Sequence, residues 1–271
     1  MKSHIKSSRK TKNLALQDFI LTLTQFRRFF IMTGVLDIKL QYRRSTLGPW
    51  WITLSMILFV SILSITYSKL VNVPIKTQLP LVACGYAVWY LISTSITSGA
   101  NIFMQNQGYI SQINIPVSVY IFRSITKNLV IFCHNFVVCI ALILLFNPIN
   151  LNTLLFIPGM LLLILNLYWV MLLLGMIGSR YRDIPPIITS LIQVIFLATP
   201  IAWPADKIGE YSKILIFNPF YYAIDLTRAP LMGEKPMLLS WGVGVGLFII
   251  GTSITFILLN KYRTRIPYWV G

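Results

Sequence analysis

The sequence predicts an all-α integral membrane protein with six transmembrane helices, and three observations carry that expectation. The 271-residue chain is 56% hydrophobic and only 11% charged, with a mean hydropathy of +0.73, well above what a domain dissolved in water shows. Its apolar residues fall in stretches almost free of ionised side chains, as required where a mid-bilayer charge costs at least ~2.5 kcal/mol. Its Lys and Arg residues gather in alternate connections, the pattern of a chain that crosses one bilayer repeatedly.

A crossing helix needs ~20 apolar residues. Six segments are assigned: Trp50–Leu70, Leu79–Phe103, Asn128–Phe146, Leu154–Gly178, Pro186–Trp203 and Leu238–Leu259. The fifth is short, and the apolar stretch Ile214–Ile224 behind it is too brief to cross, which predicts a re-entrant or interfacial element. With both termini cytoplasmic, 17 Lys and Arg lie inside and 6 outside. The inner ones occupy the N-terminal tail, the connection after span two (Arg123, Lys127), the connection after span four (Arg180, Arg182) and the C-terminus (Lys261, Arg263, Arg265). Anionic lipid headgroups therefore account for the net charge of +16 better than nucleic acid, for which no basic reading module is visible.

The tail Met1–Asn13 is basic, polar and without apolar period, and is expected to be unstructured. Leu14–Phe30 and Val35–Tyr42 mix apolar and basic positions and are expected as helices at the membrane surface, parted at Thr33-Gly34. Residues 1–33 then form a tail and surface helix, and residues 34–271 the membrane domain. Arg27 and Arg28 interrupt the stretch Phe19–Thr33, so no cleavable signal peptide is evident. Cys84, Cys133 and Cys139 lie inside spans without metal-like spacing and read as small apolar packing residues.

In the second span Tyr86, Trp89, Tyr90, Ser93, Thr94 and Thr97 recur at helical spacing, with Asn101 continuing the face. Rings that stack on apolar sugar faces, beside hydroxyls that exchange hydrogen bonds, suit a glycan pathway; packing through small hydroxylated residues is the other reading. The segment Gln105–Pro116 is polar yet uncharged, which suits a short helix docked onto a partner. In Arg180-Tyr181-Arg182-Asp183-Ile184-Pro185-Pro186, Asp183 is placed to cap the next helix and the prolines suit its first turn. Asn218 as N-cap and Pro219 at the first position open a short helix closed by Pro230, with Asp225 and Arg228 spaced to pair. Together with Thr199–Pro204 this predicts a broken, partly inserted element at the outer mouth, acting as a gate or as plain outer-leaflet packing.

The absences also matter. His134 is the only titratable candidate within a span, which disfavours an ion-coupled carrier. No phosphate-binding G-x-x-x-x-G-K-[ST] loop is present, so energy for uphill transport comes from another chain. The carboxylates are scattered, which disfavours an intramembrane transferase.

The run Leu36–Trp51, the Arg180–Pro186 motif, the Asn218–Glu234 segment and the ending Arg265-Ile266-Pro267-Tyr268-Trp269-Val270 together resemble ABC-type polysaccharide export permeases, in particular exporters of O-antigen, capsule and teichoic acid glycans. The resemblance covers nearly the whole chain from about residue 30. It implies a homodimer paired with two cytoplasmic ATPase subunits, which hold the ATP and magnesium, moving a lipid-linked glycan across the bacterial inner membrane. It implies an interfacial helix within Val35–Thr46 and a coupling helix with Gln107, Gly108, Tyr109, Ile110 and Gln112. It further implies an outer gate around Trp203, Asn218, Pro219, Tyr221, Tyr222, Asp225 and Arg228. On this basis Arg43 and Arg44 are expected to meet the lipid headgroup, and Tyr86, Trp89, Tyr90, Ser93 and Thr97 to line a glycan channel; no residue is expected to be catalytic or to hold a metal. A related permease for lipid or drug, or a membrane-embedded transferase, remains as an alternative.

Overall fold

A computed structural model describes residues 14–48, 50–113, 115–146, 149–203 and 214–270. The expected tail, residues 1–13, and the outer residues Pro204, Asp206, Lys207, Glu210 and Lys213 lie outside the described residues. The helices are α1 (Leu14–Thr24), α2 (Arg27–Gln41), α3 (Trp50–Leu70), α4 (Ile75–Gln105), α5 (Gln107–Gln112), α6 (Val117–Phe146), α7 (Phe156–Arg180), α8 (Ile184–Ala198), α9 (Pro219–Leu231), α10 (Leu238–Tyr262) and α11 (Ile266–Val270). Five stretches are long and apolar enough to cross a membrane: α3, α4, α6, the 3-10 turn Leu151–Leu155 continued by α7, and α10 continued to Val270.

The fifth expected span, Pro186–Trp203, is not among them. At 15 residues, α8 reaches only about 22 Å at ~1.5 Å per residue. It starts against the inner part of α4, where a Cβ added to Gly178 would touch the Ala100 carbonyl and Pro185. Beyond Ala198 the chain turns non-helical, and Gln78, near the other end of α4, donates to the Ala202 carbonyl. Helix plus extended segment thus run the length of α4. Non-helical backbone at this depth is tolerated because protein side chains satisfy it.

α4 is the central post. It is the most buried of the crossing helices and packs against α3, α6, α7, α8 and α9. Small residues make this possible: a Cβ on Gly99 would meet the Met171 backbone at 2.8 Å, so α4 and α7 approach as closely as small interfacial residues allow.

Two expectations about the N-terminal half are corrected. The helix break falls at Gln25-Phe26, where the α1 and α2 axes turn by 72°, and not at Thr33-Gly34. Gly34 is interior to α2 because a Cβ there would lie 2.7 Å from the Arg123 carbonyl; its smallness serves helix contact rather than helix ending. Arg123 and Lys127 belong to the first turns of α6 rather than to a loop.

α2 buries Phe30, Gly34 and Ile38, every fourth residue, along the start of α6, and leaves Met32, Leu36 and Leu40 exposed on its other side. The first span begins farther along α6: Trp50 stands edge-on to His134, and Thr53 Oγ1 donates to the His134 carbonyl at 3.5 Å. From Val117 to His134 is roughly 25 Å of helix, so the starts of α6 and the end of α4 project past the start of α3 and carry α5 at their tip.

Candidate functional site

The end of the bundle that bears Leu14 and Val270 is tied together by two carboxylates. Asp18 of α1 is fully buried. It accepts from the backbone N–H groups of Val117 (3.1 Å) and Ser118 (2.9 Å) and pairs with Arg263 at 3.1 Å. A side chain from another helix thereby satisfies the orphan donors that open α6. Asp37 of α2 takes two hydrogen bonds from Arg123, from Nε at 2.7 Å and Nη2 at 2.6 Å. Of the basic residues assigned to one side by charge counting, three meet at this end: Arg123 and Arg263 through these pairs, and Arg180 with its guanidinium 5.6 Å from the Trp269 ring centre. Asp183 stands at the N-cap position of α8 but its side chain accepts nothing from that helix, a departure from the expected cap; Pro185 and Pro186 still set the first turn.

α5 is a separate six-residue helix at the tip, with no buried residue. Gln107, Gly108, Tyr109 and Gln112 are exposed, and Ile110 is half-buried against the cluster that includes α11 residues Ile266 and Val270. Nothing within 4 Å would meet a Cβ on Gly108. Arg43 and Arg44, in the turn between α2 and α3, are exposed as well.

On α4 the predicted stripe divides. Tyr86, Tyr90, Ser93 and Thr97 share a half-open face. Trp89 turns the other way: it is 4% exposed and packs against Phe196 of α8 and Phe220 of α9 at ring distances of 5.8 and 5.7 Å. Ser93, Thr94 and Thr97 donate back to carbonyls of their own helix, which leaves their oxygens free to accept. The Tyr86 ring stacks on Phe59 at 4.5 Å. Tyr86 and Tyr90 line a hollow of about 300 Å³ with Tyr42, Trp51, Ser55 and Asn135, and burial pushes the Tyr42 phenol above its ordinary pKa. Asn135 is 1% exposed and neither atom of its amide has a partner among the described residues. His134, by contrast, uses Nδ1 on the Val130 carbonyl of its own helix, as a packed residue does.

At the opposite end α9 is a hub. Asn218 accepts from the Phe220 N–H at 3.0 Å and donates to Thr199 Oγ1 at 3.0 Å, joining the end of α8 to the start of α9. Pro219 follows at the first helical position. Tyr222 donates to the Ile216 carbonyl at 2.9 Å, the Tyr221 hydroxyl reaches Met237 Sδ at 3.9 Å, and Trp203 packs on the main core. The expected Asp225–Arg228 ion pair does not form: Asp225 accepts from Met237 N–H and Ser240 Oγ at the start of α10, and Arg228 Nη1 donates to the Pro200 carbonyl at 2.7 Å. Each charge finds better use on backbone that its neighbour cannot satisfy.

Sequence reasoning missed Asp18, the Asp37–Arg123 pair, Gln78 and Asn135. Gln78 and Asn135 carried a signal, being amides inside otherwise apolar helices; the two aspartates' partners lie 86 or more residues away and carried none.

The ABC-2 type transporter family model matches residues 30–232. The chain is 26% identical over 250 residues to an O-antigen export system permease protein RfbA of Myxococcus xanthus, covering 86% of this chain and 93% of that one. It is 23% identical over 236 residues to an O-antigen export system permease protein RfbA of Klebsiella pneumoniae, covering 84% and 90%. With the match extending from α2 through α9, across every crossing helix but the last, the chain belongs to the ABC-2 type transporter family.

Proposed function

We propose that this chain is the membrane permease of an ABC exporter that carries a lipid-linked polysaccharide, of O-antigen or capsular type, out across the bacterial inner membrane. Membership of the family implies an ATPase partner, and the names of the relatives support the cargo. The observation that carries the reading is the hollow at Tyr86, Tyr90 and Asn135: aromatic walls beside an unsatisfied, buried amide offer a sugar both a stacking surface and a hydrogen-bonding partner.

In the working assembly two copies of the chain face each other, and two cytoplasmic ATPase subunits bind ATP and magnesium. Both termini are cytoplasmic. Arg43 and Arg44 draw in the anionic headgroup, since guanidinium forks suit phosphate oxygens. The glycan passes along Tyr86, Tyr90, Ser93 and Thr97, while Trp89 holds α8 and α9 in place. Gln107, Gly108, Tyr109, Ile110 and Gln112 form the surface that docks in the ATPase, and its closure travels up α4 and α6. The hub of Trp203, Asn218, Pro219, Tyr221, Tyr222, Asp225 and Arg228 gates the outer mouth.

The test is a deletion strain complemented with the gene. Cytoplasmic accumulation of lipid-linked glycan in the deletion, relieved by the wild-type chain together with an ATP-binding subunit that co-purifies with it, supports the proposal. Normal surface glycan in the deletion, or activity of the purified chain without any nucleotide-hydrolysing subunit, overturns it.

A further inference from the structure

A second polar cavity, about 530 Å³, opens at the end that bears Leu14 and Val270, between α2, the end of α4 and the start of α6. Tyr120, Arg123 and Lys127 recur along one face of α6 and line it, as the spacings of three, four and seven allow. Arg123 is held by Asp37, and its Nη1 reaches Asn106 Oδ1 only at 3.5 Å, so that nitrogen keeps donor capacity. Lys127 is half-buried and has no ion pair or hydrogen bond among the described residues. The Tyr120 hydroxyl is likewise without a partner although the residue is 4% exposed.

A buried hydroxyl left unsatisfied is costly unless something else completes it, and the half-buried Lys127 side chain beside it has no counter-charge of its own among the described residues. With Asp37 consumed by Arg123, the cavity holds one uncompensated positive charge and converging N–H and O–H donors, the requirement of a phosphate. Its depth is that of the membrane surface: Lys127 lies seven residues before His134, beside which the first span begins, or about 10 Å nearer the tip, just beyond a headgroup layer roughly 5–8 Å thick and within reach of a diphosphate that projects from it.

We propose that this cavity is a phosphate-binding site that seats the headgroup of a phosphate-bearing lipid, with Lys127, Tyr120 and Arg123 as its ligands. The proposal rests on the export reading for the identity of that lipid, whereas the chemistry of the cavity stands apart from it. Gln41 lines the cavity two and three residues before Arg43 and Arg44, so the exposed arginines attract and the cavity holds. Asn106, which joins α4 to α5, is also in its wall; an occupied site therefore touches the joint from which the tip helix springs.

The experiment measures binding, not export. The purified chain, in nanodiscs of phosphatidylcholine, is titrated with farnesyl diphosphate, farnesol and inorganic diphosphate, and farnesyl diphosphate is then competed with phosphatidylglycerol. Farnesyl diphosphate is expected to bind and raise the unfolding midpoint, and farnesol is expected to do neither. Lys127→Gln is expected to weaken binding about tenfold or more, the scale of one lost charge-assisted bond, and Tyr120→Phe severalfold, with helical content unchanged in both. Competition by phosphatidylglycerol that depends on Lys127 supports the site and assigns it to bulk lipid; binding of inorganic diphosphate that depends on Lys127 supports it and shows that the head alone suffices. Equal affinity in wild type and both variants, or loss only in Arg43→Gln/Arg44→Gln, overturns the proposal. Failure of the glycan-export test would leave this binding result untouched, so the two readings fall separately.

Discussion

Asp37 on α2 and Arg123 on α6 close on each other through two hydrogen bonds, 2.6 and 2.7 Å long, with both side chains about three-quarters buried. The pair fastens the interfacial helix to the helix that projects beneath the first span.

Replacing Asp37 with Ala leaves the guanidinium part-buried and unpaired. A loss of about 1–3 kcal/mol is expected, because the stranded partner costs more than the bond returned. The double variant Asp37→Ala/Arg123→Leu should recover much of it. Unfolding midpoints in detergent decide this; a double variant less stable than Asp37→Ala alone would contradict the account.

Asp18→Ala removes the acceptor of two backbone N–H groups and the partner of Arg263. The expected cost is about 2–4 kcal/mol, expressed as undocking of α1. Limited proteolysis should then cut at Gln25-Phe26 in the variant at protease levels that spare the wild type.

Two glycines make a matched contrast. A Cβ on Gly159 would run into the Leu226 carbonyl, whereas nothing stands within 4 Å of one on Gly242. Gly159→Ala should cost about 1–3 kcal/mol by forcing α7 from α9, and Gly242→Ala should be neutral or slightly stabilising. Thermal midpoints of the two purified variants separate the cases.

Arg228→Leu should leave the Pro200 carbonyl without its donor, at about 1–3 kcal/mol, and abolish export while the chain still inserts. Arg228→Lys, which supplies one donor but no fork, should retain partial export. Surface glycan staining beside membrane-fraction blots gives the readout.

Tyr109→Ala alters a side chain 56% exposed, so stability should change by less than about 0.5 kcal/mol. Co-purification with the ATPase subunit should nevertheless fall several-fold. Undiminished co-purification would remove α5 from the coupling role.

The crossing helices were legible because hydrocarbon enforces one rule along the chain: Trp50–Leu70 was bounded to the residue. Where the rule weakens, reading failed. The start of α6 was missed by eleven residues because Arg123 and Lys127 end the apolar stretch, whereas the helix itself continues past the start of the first span to Val117. Thr33-Gly34 looked like a break because a glycine that lets helices touch and one that ends a helix are the same letter. Asp225 and Arg228 had the spacing to pair, but local spacing cannot reveal that backbone from residues 200 and 237 competes for them. Trp89 joined a stripe by period although its ring turns inward. The hollow at Asn135 needed three helices to be assembled before it existed.

The non-helical end of the fifth expected span has a mechanical consequence. A helix carries its own ladder of bonds and resists bending at every residue, but the stretch beyond Ala198 owes its shape to clasps from outside, chiefly Gln78 and Arg228. Rotating two side chains frees it, at about 1–3 kcal/mol for each carbonyl left without its donor, while the helices around it keep their own bonds. Among the described residues at this end, the shape of the chain thus hangs on a latch a few residues long.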